Sequence, residues 1–522
     1  MRPAVKRRVL LPTAAALLAA LLVPPAPGAA GDRTTATSPA GLAADLDILL
    51  ADPRLTGAHA SVQIADSASG HILYQRHEHA LMLPASTLKV VTAASALQLL
   101  GPQHRFTTEV RTSGRRSGPV LHGDLVLRGG GDPSLLATDL DALARHLAGT
   151  GIRQVTGRLL FDDSRYDSVP LGPGWAWDDQ PYYFSPQISA LTIAPDEEFD
   201  LGTVKVTLTP AAPGGPVGVT VTPAAAPVQF RGRVTTGPPG SEFTAEAVRN
   251  LGTNQIGLTG SIPADYGPAD EWVTVDDPAA VTATVFAAAL RRYGVGVREQ
   301  QRADGSASAG RVLARHDSAP LAELIVPFLK LSNNGIAEHL VKEIGRMKSG
   351  EGSWRAGLEE VSRFLRTNSL DGDRNQADGS GLSRYNLMSA QQFTALLTFA
   401  RRQPWYDAWY RALPVAGDPR RMVGGTLAGR MRGTLAEGKV HAKTGSMTGV
   451  DALTGYVEDA SGRLLAFTVL VNHFAGPSPR PVIDRIAIRL AGGDEPARTG
   501  AGTAPTSSSG ARQWEDCLRH RC

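Results

Sequence analysis

Residues 105–305 of this chain do not read like the rest of it. They are rich in Val, Thr, Gly and Pro, with short alternating runs such as Val204-Lys-Val-Thr-Leu208 and Val217-Gly-Val-Thr-Val221. Alternation with a period of two, broken by turn residues, predicts β-rich inserted material. The flanks carry other signals. Upstream, the spacing predicts a helix over 45–50, a strand pair at 60–64 and 72–74 across a turn at 66–70, and a helix over 87–100. That last segment is apolar on most faces, which implies burial, and Gly101-Pro102 stops it. Downstream, helical signals fill 321–400, and strands are predicted at 440–443, 453–457 and 464–471. No internal repeat is visible. At 522 residues the chain is too long for one ordinary domain, and two or three are expected.

Composition narrows the class. With 42% hydrophobic and 20% charged residues, the chain can bury sizeable cores. A net charge of +3 spread along the sequence argues against a nucleic-acid footprint. Arg2, Lys6, Arg7 and Arg8 precede an apolar run from Val9 to Val23, then Pro24, Pro25 and small residues through Ala30. This is the pattern of a secretory signal cleaved after Ala30; an uncleaved anchor is the alternative, but the run is short for a span. No later segment reaches the roughly 18 apolar residues of a membrane helix, so no membrane span is expected after cleavage. The only two cysteines, Cys517 and Cys522, lie in the last six residues, so no disulfide framework holds the body together. Residues 498–512 read as a flexible tail. Neither a metal nor a cofactor is implied, since His520 between the two cysteines makes a poor zinc site.

Three short strings carry chemistry: Ser86-Thr-Leu-Lys89, Ser332-Asn333-Asn334 and Lys443-Thr444-Gly445. A serine hydroxyl is a weak nucleophile and needs a base within hydrogen-bond reach. Ser86 and Lys89, three apart at a helix start, share a face. Exposed N–H groups there favour negative charge developing at Ser86, and desolvation should lower the Lys89 pKa toward a neutral base. The chain has only eight lysines among its 53 basic residues. It writes Arg where a surface charge suffices, yet Lys89 and Lys443 stand where a guanidinium would fail as proton acceptor or compact charge.

Ser332 could pass a proton to the leaving amine and Asn334 could orient a substrate amide; the alternative is an ordinary helix cap before 336–344. Lys443-Thr444-Gly445 sits on a predicted strand edge, which can hydrogen-bond an extended peptide. Lys443 and Thr444 would offer charge and hydroxyl to a terminal carboxylate, and Gly445 would leave room for the ligand backbone. The N–H groups of Ser86 and Ser446 form a candidate oxyanion hole, where one lost donor costs about 3–4 kcal/mol. Each string alone is weak; the ordered set is strong, and matches the S-x-x-K, S-x-N, K-T-G pattern of penicillin-recognising serine enzymes.

Further strings extend the match: Pro84-Ala-Ser-Thr-Leu-Lys89, Leu127-Arg-Gly-Gly-Gly-Asp-Pro133, Gly174-Trp-Ala-Trp-Asp-Asp179, Asp378-Gly-Ser-Gly-Leu-Ser383, Leu413-Pro-Val-Ala-Gly417 and His441-Ala-Lys-Thr-Gly-Ser446. From about 45 to 490 the chain resembles the penicillin-binding protein 4 type D-alanyl-D-alanine carboxypeptidases, the class C, peptidase S13 family. The resemblance implies an α/β (α+β) fold: a penicillin-recognising transpeptidase/β-lactamase-like domain split as 31–105 and 306–495. A β-rich insertion at 106–305, itself interrupted at about 200–262, would lie between the first and second motifs. Residues 1–30 would be the signal and 496–522 the tail. It implies a secreted enzyme, in a cell wall or periplasm-like space, that acts on peptidoglycan stem peptides through a seryl acyl-enzyme. β-Lactam antibiotics would inhibit it, and cross-links would be cut as well. It also implies that an acidic residue of the insertion, placed at Asp179, binds a diaminopimelate amino group. The neighbouring Asp178 could do so instead, or the segment could be a solvated turn. Two rivals remain: a serine β-lactamase, against which the 246 positions between Ser86 and Ser332 count, and a non-catalytic wall-binding scaffold.

Overall fold

The structure is a computed structural model and describes residues 39–304 and 310–493. The signal segment and the cysteine tail therefore lie outside the described residues. A five-stranded sheet unites the two ends of the chain. Its strands are β1 (His59–Asp66), β2 (Ile72–Arg76), β3 (Val440–Met447), β4 (Val450–Glu458) and β5 (Leu464–Asn472), in the order β3-β4-β5-β1-β2. Every neighbouring pair is antiparallel, and β1 meets β5 from His59↔Asn472 to Asp66↔Leu465.

Both faces of this sheet are covered, so β4 is buried at all but its last position. Alternation divides its side chains. Leu453 and Val457 face a cluster with Leu46, Ile483 and Ile486, from α1 (Pro39–Leu49) and the helix Arg480–Leu490. Ala452 and Tyr456 face the larger cluster holding Val90, Val91 and Leu97 of α2 (Lys89–Leu99). The predicted helix over 87–100 begins with a 3-10 turn, Ala85–Leu88, that runs straight into α2.

The middle of the chain carries the predicted strands, at Thr203–Thr209 and Gly218–Thr222. Three small sheets there surround a separate core that includes Val204, Val206, Ile256, Leu258 and Ile262. It also carries two helices not foreseen, α3 (Ala137–Gly149) and α4 (Pro278–Arg292), packed on each other over a third core. Their signals were present. Asp277-Pro278 is an N-cap followed by proline at the first helical position, and the Asp277 carboxylate accepts from Ala280 N–H. Leu140, Leu143 and Leu147 hold the apolar face of α3. Among the described residues, no helix is long and apolar enough to cross a membrane.

Candidate active site

The site is built where the edge strand β3 crosses the 3-10 turn that starts α2. In a 3-10 turn residues three apart eclipse, which stacks Lys89 over Ser86. Lys89 Nζ lies 2.7 Å from Ser86 Oγ and donates to the Ser380 carbonyl at 2.8 Å. Lys89 is wholly buried, and burial pushes its pKa down to about 7, against the opposing pull of Asp378 and Glu338. That change is equivalent to roughly 5 kcal/mol against the ammonium form. A neutral amine gives one N–H to Ser380 O and keeps a lone pair for the Ser86 proton.

The residue before Ser86, Ala85, has φ +47, a conformation that L residues seldom adopt. Two glycines hold this turn. A Cβ on Gly381 would stand 1.9 Å from Ala85 O, and one on Gly445 would stand 2.6 Å from Pro84 O. This corrects the expectation for Gly445: the space it leaves is filled by the turn that carries Ser86 rather than by ligand. Strand alternation is the reason. Thr444 and Ser446 face the cavity, while Gly445 faces back onto residues 84–87.

A cavity of about 260 Å³ opens in front of Ser86 and is lined by Ser332, Asn334, Thr444, Ser446 and Asp179. Lys443 does not line it. It is wholly buried and donates to Thr444 O at 2.9 Å. Burial drives its pKa well down, with the nearby Lys89 pushing the same way. The two lysines thus sit behind the wall and compete for charge.

Helix capping is taken by the residue between the motif's polar pair. Asn333 Oδ1 accepts from Ile336 N–H at 2.9 Å and caps α5 (Asn334–Ser349). Ser332, at φ +62, and Asn334 are left to face the cavity. The two asparagines also hold the inserted loops: Asn333 Nδ2 donates to Phe199 O at 2.7 Å and Asn334 Nδ2 to Phe184 O at 2.7 Å. Asp179, on the 3-10 turn Trp177–Asp179, is half-buried at the cavity wall, whereas Asp178 is exposed and outside the lining. Burial and the Asp178 charge push Asp179 up to about 6, with Arg384 opposing.

Sequence reasoning gave no role to Glu338 or Asp378. Glu338 is wholly buried and accepts from Gly379 N–H, Ser380 N–H and Trp354 Nε1 at 2.9, 2.8 and 2.7 Å. Burial, with Asp378 adding, raises it to about 7. Asp378 accepts from Gly381 N–H at 2.9 Å, Ser383 N–H at 2.6 Å and Trp175 Nε1 at 3.0 Å. Together the two carboxylates fix the loop whose Ser380 carbonyl orients Lys89. The legible signal was spacing: Glu338 stands one helical turn beyond Asn334 on α5.

A D-alanyl-D-alanine carboxypeptidase from an Actinomadura species is 46% identical over 454 residues, 86% of this chain and 84% of the relative. D-alanyl-D-alanine carboxypeptidase DacB of Haemophilus influenzae is 29% identical over 403 residues, 76% of this chain and 81% of the relative. The crystal structure of penicillin binding protein 4 from Haemophilus influenzae matches with a TM-score of 0.73 at 27% identity, over 86% of this chain and 98% of that one. Its complex with a β-lactam matches at 0.69 and 26% identity. The family described as D-Ala-D-Ala carboxypeptidase 3 (S13) matches residues 42–491, and with the penicillin-recognising fold and the serine–lysine pair in place, the chain belongs to that family.

Proposed function

We propose that this chain is a secreted serine D-Ala-D-Ala carboxypeptidase that works outside the cytoplasm on peptidoglycan stem peptides, cuts their cross-links as an endopeptidase, and is acylated by β-lactams. The observation that carries the reading is Ser86 Oγ, open to a cavity on one side and 2.7 Å from a buried lysine, its pKa pushed down to about 7, on the other. Neutral Lys89 takes the hydroxyl proton as Ser86 Oγ attacks the D-Ala carbonyl. The N–H groups of Ser86 and Ser446 receive the oxyanion. Ser332 passes a proton to the departing D-Ala amine, Asn334 orients the donor amide, and water then releases the acyl group. Thr444 meets the terminal carboxylate, with Lys443 behind it; an arriving anion favours charge on Lys443, and through their repulsion a neutral Lys89. Asp179 takes the side-chain amino group of the stem peptide.

The same reading assigns 31–105 and 306–495 to the transpeptidase-like domain and 106–305 to the insertion, with a nested part at about 200–262. Intact-mass spectrometry after brief exposure to benzylpenicillin, beside the Ser86→Ala variant, tests the proposal. A lasting adduct on the unmodified protein alone supports it. Penicillin consumed without an adduct means a β-lactamase, and penicillin left untouched means a scaffold.

A further inference from the structure

Leu413-Pro-Val-Ala-Gly417 carries no reactive side chain, yet it runs beside the start of β3. Ala442 N–H donates to Pro414 O at 2.9 Å, and Ala416 N–H donates to Val440 O at 3.0 Å. One buried side chain reaches this segment from the other side of the cavity. Lys330 Nζ donates to Leu413 O. Lys330 is nearly wholly buried, and burial pushes its pKa down to about 8. An apolar side chain would fill that space without such a cost, so what the lysine adds is the hydrogen bond. Its main chain makes a second contact. A Cβ on Gly425 would stand 2.2 Å from Lys330 O, and the next residue, Thr426, accepts from Thr444 Oγ1 at 2.9 Å. Lys330 is the last residue of the helix Leu321–Lys330, and Ser332 follows two positions later at φ +62.

From this we infer that Lys330 is a positioning residue for Ser332, fixing that serine in register with β3 so that its hydroxyl can protonate the departing amine. The inference rests on the carboxypeptidase reading, in which Ser332 carries that proton. Lys330 lies outside the cavity lining and touches no substrate. It acts through two ties, by side chain to Leu413 and by main chain to Gly425, which join the S-x-N string to the two segments that flank β3. Ser332 needs such ties, because L residues seldom hold a left-handed backbone unless their surroundings enforce it. Loss of the Lys330 hydrogen bond lets the serine drift while Ser86 and Lys89, carried on another element, stay in place.

The test compares diacetyl-L-Lys-D-Ala-D-Ala with its thioester analogue, in which a thiolate replaces the leaving amine. Both substrates need Ser86 and Lys89, but only the amine must gain a proton as it departs. In Lys330→Met, which keeps the side-chain length and loses the donor, kcat/KM for the amide should fall about a hundredfold, as for a misplacement of about 1 Å, and for the thioester only about twofold. Ser332→Ala should show the same selectivity, and adding Lys330→Met to it should cost the amide little more, since residues that act as a unit are not additive. Lys330→Gln, shorter by one atom but still a donor, should show the same selectivity with a smaller loss, and it decides the matter if the Met variant does not fold. Equal losses on the two substrates, or single losses that multiply in full in the double variant, overturn the inference and leave Lys330 a role in the fold alone. An unmodified protein that turns over neither substrate and takes no penicillin adduct overturns the underlying reading, and the inference with it.

Discussion

The cavity has two walls of different construction. One is the edge of the five-stranded sheet, where Thr444 and Ser446 project from β3 and the partner strand β4 is buried along almost its whole length. The other comes from inserted loops, with Asp179 on a three-residue turn and the loops tied down by the Asn333 and Asn334 side chains. Bond-making needs atoms held within about 0.5 Å, which a paired, packed strand supplies. Recognition of a side chain tolerates more play, and a few side-chain hydrogen bonds suffice. The contrast teaches where change is tolerated: substitutions on the sheet side should strike the chemical step, and those on the loop side should strike selectivity.

The largest effect belongs to the nucleophile. Ser86→Ala should lower acylation by roughly 10⁴-fold or more, with the melting transition little moved; residual penicillin labelling in that variant would sink the assignment. Next is the pH dependence of acylation. Only neutral Lys89 can accept the Ser86 proton, and it titrates near 7. The rate should thus fall about tenfold per pH unit below 7 and level off above it. A flat profile from pH 5 to 9 would show that Lys89 is not the base.

On the loop side the expected losses are smaller and depend on the substrate. Asp179→Ala should cost roughly tenfold in kcat/KM for peptides with a free side-chain amino group and little for acetylated ones. Asp179 is pushed up to about 6, so the preference for the free amine should fade as pH falls through 6. Asp178→Asn removes the charge that helps hold it there and should move that midpoint downward. Equal losses for both peptides would place amine recognition elsewhere. Asn333→Ala should act least on chemistry. It removes a cap worth about 1 kcal/mol of stability and releases the loop at Phe199, so KM should rise several-fold while penicillin acylation keeps its rate. A kcat loss larger than the KM change would mean that the two walls are mechanically one.

Much of the sheet wall was legible in the sequence because its rules are local. An offset of three puts Ser86 and Lys89 on one helical face, and period two sends Thr444 and Ser446 the same way. The error over Gly445 has the same origin. Alternation says that it faces away from its neighbours, but only the crossing of β3 with residues 84–87, distant in sequence, says what it faces. Glu338 and Asp378 stayed hidden for a related reason, since most of their partners are backbone N–H groups, which leave no trace in residue identities, and the others are distant in sequence. The helices α3 and α4 were missed where overall composition outweighed local caps, at Asp277-Pro278 above all.

The pairing of β1 with β5 has a consequence in time. β1 is held on one side by β2, a few residues away, and on the other by a strand nearly 400 residues later. At synthesis rates of about 5–20 residues per second, that interval is roughly 20–80 s. Until β5 arrives, β1 keeps an open edge, and until β3 arrives the turn carrying Ser86 lacks the strand that packs on it. A nascent or truncated chain should therefore hold the serine and the lysine without a working site. Hydrolytic competence would come only once β3 and β5 have been added, so the enzyme stays inactive through most of its own synthesis.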